Sequence, residues 1–428
     1  MLLIACLLAF YLAWNLGAND VANAMGTSVG SKALTLRQAL LIAAVLESAG
    51  AFLFGRPVSS TLATHVVNLE NFAEAPHLLA IGMLTVLLAG GLWMHLATAF
   101  GLPVSSSHAV VGAIAGVAWA AHGLEAIDWP TIRLISLMWM MTPLISGAIA
   151  AIMYDCLRRW VLAQPDPLLP LAEWLPWLSA TFVAVFGVIV VPPLSVPGFT
   201  GSETLPAHTI ALASGGVMAC LLTWLSWHWL TRATNSNWLE NQDNPYSFSI
   251  TEKVLARFQV LSACFVSFAH GSNDVGNAIA PLAVVVQLQQ GNGLIPPVFQ
   301  VPLWTLALGG LGIVGGLAIW GQRVITTIGE EITPLQPSGG VCAELATATT
   351  VLLASRLGLP VSTSHALVGA LVGIGLAHAN HQLQGKTLRS IGLAWVGTIP
   401  VSAGLSALIF WLISQIAVPF LETGHILG

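Results

Sequence analysis

The chain has 428 residues, 56% of them apolar, while Asp, Glu, Lys and Arg together make up only 7% and leave a formal net charge of −5. Soluble domains carry roughly 25% charged residues, so this chain lacks the charge to coat a water-facing surface, and its mean hydropathy of +0.82 agrees. This excludes a secreted domain, a soluble enzyme and a nucleic-acid binder, which needs a basic face, and the long continuous apolar stretches exclude an outer-membrane barrel. What is left is an all-α polytopic protein of the cytoplasmic (inner) membrane, with the lipid bilayer as its solvent.

A bilayer core needs about 20 apolar residues per helix. The first thirteen residues, Met1 to Ala13, lack a basic leader region and run into a polar motif, so they read as a first helix and not as a signal peptide. In chain order the candidate segments are 2–16, 37–55 (which holds Glu47), 78–99, 103–121, 132–154, 174–193, 209–231, 254–271, 274–288, 302–321, 341–357 (which holds Glu344), 360–378 and 390–415. Several are short or carry Gly and Pro and read as half-helices or re-entrant hairpins, leaving about ten to twelve crossings.

Arg158 and Arg159 follow one span, and Arg232, Lys253 and Arg257 fall around the most polar stretch, two spans later. Both clusters therefore lie on one side, which the positive-inside rule makes cytoplasmic. The loop between them, Leu194 to His208, has no Lys or Arg. Sixteen tryptophans against three tyrosines suit interfacial anchoring, with Trp174, Trp177, Trp224, Trp227 and Trp229 at span ends. Five cysteines (Cys6, Cys156, Cys220, Cys264, Cys342) stand singly and read as small hydrophobes, not as a disulfide framework or zinc site.

The chain contains an internal repeat. Residues 101–113, GLPVSSSHAVVGA, and 358–370, GLPVSTSHALVGA, are identical at 11 of 13 positions, with an offset of 257. Upstream, GANDVANA at 17–24 and GSNDVGNA at 271–278 are identical at 6 of 8 positions, with an offset of 254. The distance from Asp20 to Ser105 is 85 residues, and from Asp274 to Ser362 it is 88. Apolar composition alone does not reproduce such motifs in order.

These paired GANDVANA/GSNDVGNA and PVSSSH/PVSTSH motifs resemble the PiT family of inorganic phosphate transporters, over nearly the whole chain except the poorly matched middle of about 165–250. The resemblance implies two inverted-topology repeats whose broken helices and hairpins meet at a central site. The expected organisation is 1–160 as the first transport repeat, 161–250 as middle spans plus a polar cytoplasmic loop, and 251–428 as the second repeat. The expected activity is symport of inorganic phosphate with Na⁺, since GANDVANAMGTSVGSKALTLRQA resembles the sodium-coupled branch. Proton-coupled phosphate, metal–phosphate and sulfate transport stay open as alternatives; no cofactor is implied beyond the co-transported Na⁺. A homodimer also stays open.

The residue chemistry agrees with this. Asp20 and Asp274 lie in apolar sequence, where an ionised carboxylate needs a partner, and no Lys or Arg stands within ten residues of either. Asn19, Asn23, Asn273 and Asn277 supply hard amide oxygens beside them, as a Na⁺ site requires. Flanking glycines such as Gly17 and Gly271 permit an unwound backbone there. Ser105, Ser106 and Ser107, with Ser362, Thr363 and Ser364, open hydrophobic helices, where free N–H groups and hydroxyls receive phosphate oxygens. One hydroxyl per helix suffices for capping; three in each repeat point to a ligand.

Phosphate beside two Asp carboxylates is unfavourable unless cations come with it, since each helix N-terminus contributes only about half a charge. A protonated phosphate also donates a hydrogen bond to an Asp, against which sulfate is rejected. Glu47 and Glu344, acids inside apolar spans, are functional by default; the resemblance links them with coupling or gating, although Glu344 falls opposite Leu87 under the repeat offset. His108 and His365 read as packed, hydrogen-bonded histidines. Two further readings compete: an intramembrane hydrolase using Ser106 or Ser107 with His108, and a passive anion channel. GTSVG at 26–30 and GLGIVG at 310–315 lack the strand–turn–helix context of catalytic or nucleotide-binding loops.

Overall fold

The computed structural model describes residues 1–101, 104–194, 207–235, 249–291, 293, 299–321, 325, 336–377 and 385–422. Helix starts follow local capping chemistry. Thr35 and Gln38 form a capping box that opens α2 (Leu36–Phe54), the Asp128 side chain accepts from Thr131 N at the head of α6 (Trp129–Leu157), and Ser249 accepts from Glu252 N at the head of α9 (Ile250–Gln290). The remaining helices are α1 (Leu2–Gly30), α3 (Arg56–Thr64), α4 (Pro76–Ala99), α5 (Ser106–His122), α7 (Leu168–Leu194), α8 (Ala207–Asn235), α10 (Leu303–Ile319), α11 (Pro337–Arg356), α12 (Thr363–Ala377) and α13 (Gly385–Glu422).

Among the described residues, seven helices are long and apolar enough to cross a membrane. α10 and α12 are shorter apolar helices. α4 and α5 form one helical hairpin and α11 and α12 a second, with the PVSSSH and PVSTSH motifs at their tips. Large side chains such as Leu41, Val45, Leu144 and Ile152 stand exposed around the outside. A face of this kind suits lipid, in which apolar exposure carries no cost.

The packing is reciprocal between the halves. α1 packs on α10 while α9 packs on α2, and α13 packs on α5 while α6 packs on α12. α7 and α8 pack chiefly on each other. The two motif-bearing helices run in opposite directions: Asp20 of α1 meets the Asp274 region of α9, and further along α1 Ser31 donates to Gln259 Oε1, near the start of α9, at 2.7 Å. Tyr154 and Arg158 at the end of α6 share a cavity with Ser249 and Glu252 at the start of α9, so both basic clusters lie on one side of the molecule.

One expectation is corrected. The backbone is not unwound at either Asn-Asp motif: α1 runs from Leu2 through Gly30, and the segments 254–271 and 274–288 are a single helix, α9. The glycines serve close approach instead. A Cβ on Gly17 would fall on the Ile313 carbonyl of α10, and one on Gly271 would fall on the Glu47 carbonyl of α2. Each motif helix is thereby seated against its partner at backbone contact. The helical breaks occur at the hairpin tips, where the chain leaves α4 at Gly101 and α11 at Gly358, both with positive φ.

Candidate functional site

The crossing of α1 and α9 buries three carboxylates around one imidazole. Asp20 on α1 and Asp274 on α9 are 1% and 0% exposed, and one side-chain ligand atom from each, together with one from His270, lie within 4.8 Å of one another. His270 Nε2 stands 2.8 Å from Asp274 Oδ2, one helical turn along α9. His270 Nδ1 stands 3.2 Å from Glu47 Oε2 on α2. Among the described residues no Lys or Arg forms an ion pair with this cluster, so the carboxylates outnumber any positive charge the imidazole supplies.

Three oxygens of the site are left over. Asp20 Oδ1 accepts from Asn23 Nδ2 at 3.0 Å, but Asp20 Oδ2, Glu47 Oε1 and Asn277 Oδ1 are buried with no hydrogen-bond partner among the described residues. An orphaned buried carboxylate oxygen is costly in an apolar interior, and oxygens of this hardness are what an alkali cation takes up.

The hairpin tips close on the same place from both sides. Thr363 Oγ1 donates to Asp274 Oδ2 at 3.2 Å, and Ser106 lies beside the Asp20 carboxylate; the two residues correspond under the repeat. Ser107 donates to Val361 O of the other hairpin at 2.9 Å, and Asn277 Nδ2 reaches Ser107 Oγ at 3.5 Å. Ser105 and Ser362 act as caps, accepting from His108 N and His365 N at 3.3 Å each, while Ser364 pairs with Ser362 at 2.9 Å. Of the six hydroxyls, Ser106 and Thr363 are the pair aimed at the carboxylates.

Asn19 and Asn273 reach the hairpins. Asn19 Nδ2 donates to Thr98 Oγ1 at the end of α4 at 2.9 Å. In the orientation that satisfies its neighbours, the Asn273 amide donates to Asp274 Oδ1 at 3.1 Å and to Val361 O at 2.9 Å, and its oxygen accepts from Ser355 Oγ of α11 at 3.0 Å. Both therefore tie a motif helix to the first arm of its own hairpin.

The structure separates the two glutamates. Glu47 belongs to the central cluster. Glu344 Oε1 accepts from Thr27 Oγ1 at 2.5 Å, Ser28 Oγ at 2.6 Å and Gln259 Nε2 at 3.2 Å, and its Oε2 accepts from Ser262 Oγ at 2.7 Å. This carboxylate fastens α11 to both motif helices. Glu344→Gln sets an amide N–H₂ against these donors and leaves buried hydroxyls unsatisfied, at about 1–3 kcal/mol. The expected result is a lower melting temperature in detergent; an unchanged one contradicts the role of fastener.

His108 and His365 are held away from the serines. Their Nδ1 atoms lie 3.2 Å from Trp395 O and 3.1 Å from Trp139 O, and their rings pack on Trp139 and Trp395 at centroid distances of 3.9 and 3.7 Å. A Ser–His nucleophile would need the imidazole at the hydroxyl.

The cluster, the hairpins and both Asn-Asp motifs fall within residues 16–406, and over that span the chain matches the family described as "Phosphate transporter family". The chain belongs to the phosphate transporter family. It is similar to the Arabidopsis thaliana protein "Inorganic phosphate transporter 2-1, chloroplastic", with 40% identity covering 96% of this chain and 72% of that one. A solved structure described as "The sodium-dependent phosphate transporter" superposes with a TM-score of 0.86 at 35% identity, covering 97% of this chain and 99% of that one. The protein is thus a multi-pass membrane transporter, not an enzyme.

His270 is the member of the transporter's cluster that sequence reading passed over. Its first-repeat counterpart is Leu16, so comparison of the repeats gives no sign of it. The available signal was its i, i+4 spacing to Asp274 on one helix face.

Proposed function

We propose that the transporter is a symporter that moves inorganic phosphate with Na⁺ by alternating access. In this reading residues 1–160 and 251–428 are two repeats of inverted topology, with 161–250 a middle insertion. The observation that carries it is the convergence of Asp20 and Asp274 on one buried spot with Asp20 Oδ2 and Asn277 Oδ1 unsatisfied and with no Lys or Arg among the described residues paired to either carboxylate.

Na⁺ is taken by Asp20, Asp274, Asn23 and Asn277, with Asn19 and Asn273 orienting the motif helices. Phosphate is received at the N-termini of α5 and α12 by their free N–H groups and by Ser106 and Thr363, with Ser107 and Ser364 adjoining and Ser105 and Ser362 holding the helix starts. The anion is repelled by three carboxylates until cations neutralise them, and the cations are poorly held until the anion arrives. Each stabilises the other's binding, which is the reciprocal coupling a symporter requires. Glu47 and Glu344 link the site to the neighbouring helices and so to gating.

Purified protein in proteoliposomes tests this. Phosphate accumulates when Na⁺ is imposed outside and fails to accumulate with K⁺ in its place; accumulation indifferent to Na⁺ and driven by a proton gradient overturns the coupling, and equal competition by sulfate overturns the substrate. Ser106→Ala and Thr363→Ala each remove a hydrogen bond to a charged group, worth roughly 1.5–3 kcal/mol, and weaken phosphate affinity about 10- to 100-fold with the protein still assembled. Unchanged half-saturation in both variants removes these hydroxyls from the site.

A further inference from the structure

A column of four aromatic rings joins the starts of α5 and α12. Trp139 of α6 packs on His108 of α5 at a centroid distance of 3.9 Å. His108 meets His365 of α12 edge to face at 4.7 Å and 85°, and His365 packs on Trp395 of α13 at 3.7 Å. Both imidazoles are buried, and a backbone carbonyl fixes how each is turned: His108 Nδ1 lies 3.2 Å from Trp395 O and His365 Nδ1 lies 3.1 Å from Trp139 O. A carbonyl only accepts, so Nδ1 carries the proton in both rings. Each histidine is thus bonded to the backbone of one tryptophan while it stacks on the indole of the other.

The column stands between two closely seated pairs of helices. α5 is pressed against α13 and α12 against α6: a Cβ on Gly116 would fall on the Ala403 carbonyl, and one on Gly373 on the Gly147 carbonyl. Across the gap between these pairs, the two hairpins meet through the imidazoles and through Ser107 Oγ, which donates to Val361 O at 2.9 Å. The column also reaches a hairpin tip, where Trp139 Nε1 donates to Pro360 O at 3.1 Å. Ser106 and Thr363 precede the two histidines by two residues, about 3 Å along the helix axis. The width of the column at His108 and His365 therefore governs the gap between the two hydroxyls.

We propose that the column Trp139–His108–His365–Trp395 is a positioning element for the anion, setting the separation of the α5 and α12 N-termini and hence the geometry in which Ser106 and Thr363 meet one tetrahedral oxyanion. This rests on the symport reading above, in which those termini receive phosphate. Donors that share a ligand have to be held to within about 0.5 Å, and here they belong to opposite halves of the chain, so neither hairpin supplies that precision alone. Flat rings with few rotatable bonds make a stiff spacer, and the carbonyl bonds keep the two middle rings from turning.

The test is phosphate binding by the purified full-length protein in saturating Na⁺, measured by isothermal titration calorimetry, beside uptake in proteoliposomes. His108→Ala and His365→Ala each open a gap in the column and raise the phosphate dissociation constant about 10- to 100-fold, the loss that follows a displacement of about 1 Å. Half-saturation by Na⁺ at saturating phosphate stays at the wild-type value, since Asp20 and Asp274 belong to α1 and α9, outside the column. His108→Phe returns a ring without a donor for Trp395 O and recovers most of the affinity, whereas His108→Asn keeps a donor without the ring and does not. Melting temperature reports whether each variant is folded; should the alanine variants not fold, Trp395→Leu, at the half-buried end of the column, carries the same expectation. Wild-type phosphate affinity in the folded alanine variants overturns the proposal and leaves the symport reading standing. Rescue by Asn and not by Phe overturns it too, making the histidines fasteners only, as does equal loss of Na⁺ and phosphate affinity. A wild type that binds no phosphate overturns the symport reading and this proposal with it.

Discussion

Asp20→Asn and Asp274→Asn each bring Na⁺-driven phosphate uptake down to that of protein-free liposomes, while the variants still reach the membrane and purify as folded protein. The two carboxylates are the charged oxygens through which α1 and α9 share a ligand, their atoms lying within 4.8 Å of His270 and of each other. A cation about 4 Å from one such charge gains about 4 kcal/mol at an effective dielectric near 20, so replacing it by a neutral amide lowers cation affinity by roughly three orders of magnitude. Assembly survives because an amide keeps the shape and, at position 20, keeps a partner for Asn23, which donates to Oδ1. Removing the Asp20 carboxylate also relieves repulsion within the cluster, and Asn at 274 leaves His270 its second acid, Glu47, at Nδ1. Uptake at wild-type rates in either variant, with Na⁺ dependence intact, refutes the site.

His270→Ala is the second large effect, and it acts on the fold before it acts on transport. The imidazole separates Glu47 from Asp274, at 3.2 and 2.8 Å, with all three side chains fully buried. Its removal leaves two acids facing a cavity with no cation, and breaking a buried pair in this way costs about 3–5 kcal/mol. The protein is expected to show a sharply lower melting temperature and poor yield. Combining it with Glu47→Gln removes one of the stranded acids and restores folding in part, although uptake stays absent. Equal destabilisation in the single and double variants would show that the histidine acts by filling space and not by separating charge.

The sequence disclosed the carboxylates and concealed their partner for the same physical reason. Asp20 and Asp274 are conspicuous because an ionised group in an apolar span has to be satisfied somewhere, and the duplicated motifs around them tie the two together. His270 has no duplicate, Leu16 standing at its place, so a search for what the halves share passes over it. The helical hairpins were readable from Pro and the Ser/Thr triplets, which resemble caps because two of the six are caps, Ser105 and Ser362. The unbroken course of α1 and α9 was not readable: glycine is as compatible with an unwound segment as with a helix pressed against a carbonyl, and only the position of Ile313 and Glu47 decides between them. Likewise Glu47 and Glu344 are alike as isolated acids, and the hydroxyls that distinguish them come from residues more than 80 positions away in sequence or, for Thr27, 317 positions away.

The separation of Asp20 from its counterpart, 254 residues further on, has a consequence for biosynthesis. Ribosomes add roughly 5–20 residues per second, so α1 enters the bilayer and waits on the order of ten to fifty seconds before α9 is made. During that interval it holds an aspartate in mid-helix, at an insertion penalty of about 2.5–3.5 kcal/mol, with only Asn23 of its own helix to offer a hydrogen bond. The aliphatic first half of α1, from Leu2 to Leu16, is what keeps the nascent helix in the membrane until its partner emerges.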